Sequence, residues 1–191
     1  MTITLKKATS IHTGIYANPD AWGDIMYLQA KDFNEVGQVH PLLKPNLILE
    51  SDNKIGKHLL KDGDILFAAK GHKNFAAIYN ESLGPAVASS TFLVVRILRE
   101  YRLRLSPEFL AWWMNHSKSQ QYLKGQAIGS SLLSISKAVL QELEIFIPPL
   151  TQQEIILKIS ELRSREIALQ SQIEALREKK IQQLLLNILK D

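Results

Sequence analysis

The sequence predicts an α+β fold: a globular, β-rich domain with short helices over residues 1–150, then one long C-terminal α-helix over 151–191 forming a coiled-coil or spacer arm. Three observations predict it. Short apolar runs separated by Gly, Pro, Asn and Asp turn signals fill the first hundred residues, as strands do. Two helix-opening signatures follow within residues 106–120. After Pro148-Pro149 no glycine or proline occurs again, and apolar residues recur in steps of mostly three and four.

Residues 1–50 read as strand and loop. Ile25-Met26-Tyr27-Leu28 is an apolar run between Gly23-Asp24 and Lys31-Asp32, and Leu47-Ile48-Leu49 follows the turn-rich stretch from Pro41 to Asn46. Tyr16, Trp22 and Tyr27 are expected as core or edge aromatics, with base stacking as the functional alternative. Asp62-Gly63 is a turn signal directly before the strand Ile65-Leu66-Phe67, which resumes at Phe75-Ala76-Ala77-Ile78-Tyr79. Between them Ala69-Lys70-Gly71-His72-Lys73-Asn74 forms a hairpin tip around a glycine. Its donors suit phosphates or base edges, asparagine matching adenine and lysine guanine. A solvated turn is the other reading, because hairpin tips are ordinarily polar. Ala86 to Leu98 follows as one or two strands with Ser89-Ser90-Thr91 inside. Arg96, Arg99, Arg102 and Arg104 form a basic cluster expected on a solvated surface.

Ser106 caps a helix with Pro107 at its first position, running through Phe109, Leu110, Trp112, Trp113 and Met114. The adjacent tryptophans sit about 100° apart on that helix, so one is expected in the core and the other in a second contact. Ser117-Lys118-Ser119-Gln120 reads as a capping box opening a further helix. The Gly- and Ser-rich loop from Gly125 to Ser131 contributes Ser130, which joins Lys70, Gly71, His72, Lys73 and Asn74 as a candidate nucleic-acid contact. Ser134 or Ser136 then caps a short helix through Leu140, and Leu143 to Ile147 is the last strand.

The tail opens at Thr151-Gln152-Gln153-Glu154, which has capping-box spacing, with Leu150 and Ile155 placed for a hydrophobic staple. Its stripe comprises Ile155, Ile159, Leu162, Leu169, Ile173, Leu176, Ile181, Leu184, Leu185 and Ile188. A helix of roughly 40 residues is ~60 Å long, whereas 150 residues in one domain have a radius of gyration of ~15 Å. Part of the stripe therefore needs another partner. The breakers that a fold-back would use are missing. Glu166, Lys180 and Gln183 interrupt the seam and the spacing drifts toward ~3.67, which favours short antiparallel pairing over a long parallel supercoil.

Hydrophobic residues make up 46% and charged residues 22% of 191, enough apolar content for a sizeable core. Zero cysteines remove disulfides, thiolate zinc sites and cysteine nucleophiles. The start, Met1 to Lys7, lacks a signal peptide's apolar run and no segment approaches a membrane span, so a cytoplasmic location is expected. Net charge is +4 with a pI near 9.2. The front part carries 16 Lys+Arg against 13 Asp+Glu (+3) and the tail 7 against 6 (+1), a balance that allows nucleic acid without demanding it. No dinucleotide or Walker loop, zinc-protease motif or nucleophile elbow occurs, and His12, His40, His58, His72 and His116 are too scattered for metal ligation. Pro19-Asp20 with Asp52-Asn53-Lys54 supports an alternative reading as a Mg²⁺-dependent nuclease. A coiled-coil-dimerised regulator or adaptor is a further alternative.

Three motifs, in order, resemble type I restriction–modification specificity subunits. Leu59-x-x-x-Gly63-Asp64-Ile65-Leu66-Phe67 is similar to their "L-x-x-GDIL" segment, and Ser106-Pro107-Glu108-Phe109-Leu110 to their "p-x-fL" helix. Leu143-x-Ile145-x-Ile147-Pro148-Pro149-Leu150-Thr151-x-Gln153-x-x-Ile156 resembles the run into their conserved long helix, with one residue fewer before Pro-Pro. The resemblance implies a DNA target-recognition domain over 1–150, a spacer and dimerisation helix over 151–191, and no catalysis by the chain itself. It implies double-stranded DNA, an adenine-methyltransferase modification subunit and a restriction/translocase subunit as partners. S-adenosylmethionine is expected in the methyltransferase, with no cofactor or metal here. Such subunits usually hold two recognition domains and two helical regions. This chain has one of each, so an antiparallel homodimer reading a bipartite palindrome is expected.

Overall fold

A computed structural model of the chain describes residues 2–19, 22–34, 37, 39, 43–47, 56–71, 74–127 and 133–188. Two compact units are present, Met1–Leu150 and Thr151–Asp191. The strands in chain order are β1 (Thr2–Thr4), β2 (Thr9–Thr13), β3 (Met26–Leu28), β4 (Ile65–Ala68), β5 (Lys70–Gly71), β6 (Ala76–Ile78), β7 (Ala86–Ala88), β8 (Phe92–Ile97), β9 (Leu133–Ser134) and β10 (Glu144–Phe146). The helices are α1 (Leu5–Ala8), α2 (Pro107–Asn115), α3 (Ser117–Gly125), α4 (Lys137–Gln141) and α5 (Leu150–Ile188). The architecture is thus a β-rich α+β domain with short helices and one long C-terminal helix.

The first unit is organised on an antiparallel sheet in the order β2-β8-β4-β6. Its central strands β4 and β8 are almost continuously apolar because both faces are covered. Register places Leu66 opposite Val94 and Ala68 opposite Phe92. Those four side chains share one face, where they pack with Leu28, Ala86 and Ala88 from the parallel β3–β7 pair. Ile65, Phe67, Leu93 and Val95 point to the other face by alternation. There α2 packs against β6 and α4 against β2, and α2 buries Phe109, Leu110, Ala111 and Met114. A smaller cluster, Ile25, Tyr27, Leu47 and Val87, collects Ile15, Ala17 and Leu59 outside the main core. Finally β1 pairs with β10, bringing the first strand beside the last.

Several local expectations hold and several shift. Ser106 Oγ accepts from Phe109 N at 3.1 Å with proline at the helix start, and Ser136, not Ser134, caps α4. The cap of α3 lies one residue before the expected box: His116 Nδ1 accepts from Lys118 N at 3.3 Å, so Ser117 is already helical. Neither tryptophan fills the core. Trp112 and Trp113 are half-buried, and Trp113 Nε1 donates to Glu144 O at 2.8 Å. Tyr27 is buried as expected, but Tyr16 and Trp22 are 81% and 84% exposed, so they belong to neither core nor edge. Arg96 is only partly exposed. It forks onto the carboxylate of Asp64, Nε to Oδ1 at 2.7 Å and Nη2 to Oδ2 at 2.6 Å, while Oδ2 also accepts from Lys61 N.

The second unit is helical from its start, and α5 opens at Leu150, one residue before the expected Thr151 cap. That moves Leu150 inside the helix and removes the staple spacing. Its 39 residues span about 58 Å. Lys158–Glu161, Arg163–Glu166 and Glu174–Arg177 pair one turn apart on the exposed surface, where solvent screens them and each adds little. Lys158 holds the Glu161 carboxyl below its ordinary range. Among the described residues, only Gln153 of α5 is buried, and no helix is long and apolar enough to cross a membrane.

Candidate nucleic-acid interface

The hairpin formed by β4 and β6 carries the polar tip. Ile65 pairs with Ile78, Leu66 with Ala77 and Phe67 with Ala76, and Ala68 N donates to Phe75 O at 2.8 Å. Below the tip, Phe33, Phe75 and Phe92 form a three-ring cluster with centroids 5.5–6.1 Å apart, two of its three contacts edge-on. The outer side of β6 is closed by a side chain acting as a strand. Asn115 Oδ1 accepts from Ala76 N and its Nδ2 donates to Ala76 O, both at 2.8 Å. This satisfies both backbone groups of Ala76 on the edge strand and discourages pairing with another chain there.

The tip is more than a turn. Lys70 and Gly71 form β5 and pair with Ser134 and Leu133 of β9. Ala69 N donates to Thr91 O at 2.9 Å, and Ile135 N donates to Ala69 O at 2.8 Å. Gly71 has φ +139° with nothing within 4 Å of a Cβ, so backbone conformation, rather than space, favours glycine there. Lys70 is exposed. Asn74 is not: it is 8% exposed, and its Nδ2 donates to Ala68 O at 2.8 Å. Its amide braces the root of the tip, which corrects the expectation of a base-reading asparagine. His72, Lys73 and Ser130 lie outside the described residues, as do Asp20 and Asp52-Asn53-Lys54 of the nuclease reading. Among the described residues no cluster of three or more His, Cys, Asp or Glu could hold a metal.

The β5–β9 pairing stitches the hairpin tip to the end of the segment that follows α3. Sequence reasoning named both segments but could not join them, since a two-residue ladder across more than sixty positions leaves no periodic signal. It also missed the role of the Gly63-Asp64 pair, whose aspartate anchors the sheet through Arg96 instead of facing solvent. The visible signal was a lone acid immediately before an apolar run. Asp64, 1% exposed, raises the Arg96 guanidinium above its ordinary range by hydrogen bonding.

Known structures share this fold. A chain from a structure described as the structural basis of complex assembly and conformational transition of the type I R-M system matches with a TM-score of 0.67 at 16% identity, covering 96% of this chain and 43% of that one. The type-I restriction-modification system S subunit from M. genitalium matches with a TM-score of 0.58 at 16% identity, over 93% and 42% of the two chains. The HsdS subunit from Thermoanaerobacter tengcongensis gives a TM-score of 0.62 at 17% identity, over 88% and 38%. The chain therefore spans about two-fifths of the length of the structures it matches. No curated protein matches it. The family model described as type I restriction modification DNA specificity domain covers residues 5–178, running from α1 through most of α5. The chain belongs to that family.

Proposed function

We propose that this chain is a sequence-specific DNA recognition subunit of a type I restriction–modification system, with no catalytic chemistry of its own. The first unit recognises the target and α5 sets the spacing. The observation that carries the reading is the rigidly rooted hairpin whose exposed end is tied by β5–β9 to a glycine- and serine-rich loop. Such a surface places donors at the end of a fixed scaffold, where loop chemistry varies without disturbing the core. Lys70, Gly71, His72, Lys73 and Ser130 are its proposed DNA contacts. Asn74 supports them from beneath.

The apolar stripe of α5 supports pairing. Ile155, Ile159, Leu162, Leu169, Ile173, Leu176, Ile181, Leu184, Leu185 and Ile188 are all roughly half or more exposed within the chain. A second copy lying antiparallel along this stripe would set two recognition domains about a two-fold axis and make the DNA site bipartite and palindromic. The same helices offer docking surface to an adenine-methyltransferase modification subunit, which would hold S-adenosylmethionine, and through it to a restriction/translocase subunit.

Selection from a randomised duplex pool, with the chain and a co-expressed modification subunit, tests the proposal. Enrichment of two inverted half-sites at fixed spacing is expected, and Lys73→Ala should weaken that binding while leaving the oligomer intact. A pool that emerges unenriched would sink the recognition role.

A further inference from the structure

A second surface borders the β2 edge of the sheet, with β8 between it and β4. His12 and Thr13 at the end of β2, Gly14, and Lys57-His58 on the turn after residue 55 line a cleft of about 130 Å³, large enough for a phosphate group. Arg96 also borders it, but its charge is spent on Asp64. Lys57 is exposed and has no ionic partner among the described residues, so it brings a cationic side chain to the cleft.

The segment leaving this cleft presents two aromatic rings to solvent. Ile15 and Ala17 turn inward, packing with Leu59 on the small satellite cluster, which leaves Tyr16 between them facing out. Trp22 is likewise exposed. The described residues near Gly14 are held by hydrogen bonds. Gly14 N donates to Phe92 O at 3.0 Å and Ile15 N to Ala88 O at 2.9 Å, and the Tyr27 hydroxyl donates to Ile15 O at 3.0 Å. A Cβ on Gly14 would stand 2.1 Å from Ser89 O, and one on Gly23 would stand 2.2 Å from Leu47 N. Backbone therefore approaches backbone at both ends of the loop. Leu59, next to His58, belongs to the same satellite cluster, so the basic turn and the aromatic loop share one support.

An exposed tyrosine two residues beyond the cleft, and an exposed tryptophan beside Gly23, which abuts Leu47 of the same satellite cluster, combine with the lysine to give features of surfaces that track a nucleic-acid backbone. We propose that His12, Thr13, Lys57 and His58 hold a phosphate of duplex DNA, with Tyr16 and Trp22 laid against the adjoining sugar–phosphate strand. The inference rests on the DNA-recognition reading and adds to it a sequence-independent grip made by residues other than those of the hairpin tip.

The test uses the full chain and a random-sequence duplex titrated across a range of salt, where each phosphate contact contributes about 0.9 to the slope of log affinity against log salt. Lys57→Ala should lower the slope by about 1 and the affinity about fivefold to tenfold at ~0.1 M salt. Melting temperature should be unchanged, since the side chain is exposed. Irradiating a bromodeoxyuridine-substituted duplex on the protein should cross-link Tyr16 or Trp22, read by mass spectrometry of the peptides. Normal duplex binding with an unchanged slope and no cross-link on this loop would overturn the inference and leave the recognition reading standing. An unchanged slope accompanied by loss of the co-purifying modification subunit would overturn it too, assigning the patch to a protein partner. Absence of any duplex binding by the unmodified chain would take both readings down together.

Discussion

At the residue scale, the Asp64–Arg96 pair and Tyr79 carry the clearest energetic consequences. Asp64 is sealed from water, and its carboxylate accepts from the forked guanidinium and from Lys61 N. Arg96→Ala would strand a buried carboxylate, a situation that costs about 3–5 kcal/mol. Urea unfolding should show a loss of that size, at the low end because Arg96 itself is partly exposed. Tyr79 lies buried with its hydroxyl donating to Gly84 O at 2.7 Å. Burial first, then the charges of Glu81, Asp62 and Asp64, push its phenol above the ordinary value of 10.0. The folded chain thus holds this proton more tightly than the unfolded chain does. The associated stability is complete below about pH 10 and is lost as pH rises through the elevated folded value. Tyr79→Phe should cost about 1 kcal/mol at neutral pH through the lost hydrogen bond, yet flatten the alkaline decline in denaturant midpoint. An unaltered alkaline limb would show that another group governs it.

At the scale of elements, the hairpin is defended by a helix. Asn115 ends α2 and gives β6 the two hydrogen bonds that a neighbouring strand would otherwise provide. Asn115→Ala should cost about 1–3 kcal/mol by orphaning both backbone groups of Ala76, and should raise hydrogen exchange at that amide before the rest of the sheet responds. Exchange that rises equally throughout β4 and β8 would mean the asparagine guards the sheet as a whole. The strands were legible in the sequence because Ile65-Leu66-Phe67 and the run from Phe92 to Ile97 are apolar segments bounded by turn residues. Helix starts were legible where a hydroxyl cap met a proline, as at Ser106-Pro107. They slipped by one residue where a histidine took the cap and by two where Pro148-Pro149 alone set the start. Tyr16 and Trp22 were misjudged because aromatic residues are apolar by type, and only tertiary context shows which way Ile15 and Ala17 turn the chain.

At the scale of the whole molecule, a 39-residue helix leaves a long apolar stripe half exposed. Such a stripe is costly in water at ~25 cal/mol per Å² and drives association. Sedimentation of the isolated chain at micromolar concentration should give a dimer, and Ile173→Glu, placing a charge in mid-seam, should shift it toward monomer without unfolding the first unit. A monomer for the unaltered chain would remove the homodimer and leave the stripe to a different helical subunit. Both the length of α5 and its stripe were readable from residue types. The partner was not, because periodicity records that a face must be covered without recording by what.

The short ladder between β5 and β9 has an engineering consequence. Lys70 and Gly71 take their alignment from Ser134 and Leu133, more than sixty positions along the chain. A transplant of the hairpin end alone into another scaffold would arrive without the partner that sets its register. On the proposed role of the hairpin end, swapping target preference between relatives requires moving two separated cassettes together, one around residues 69–75 and one ending at Ile135.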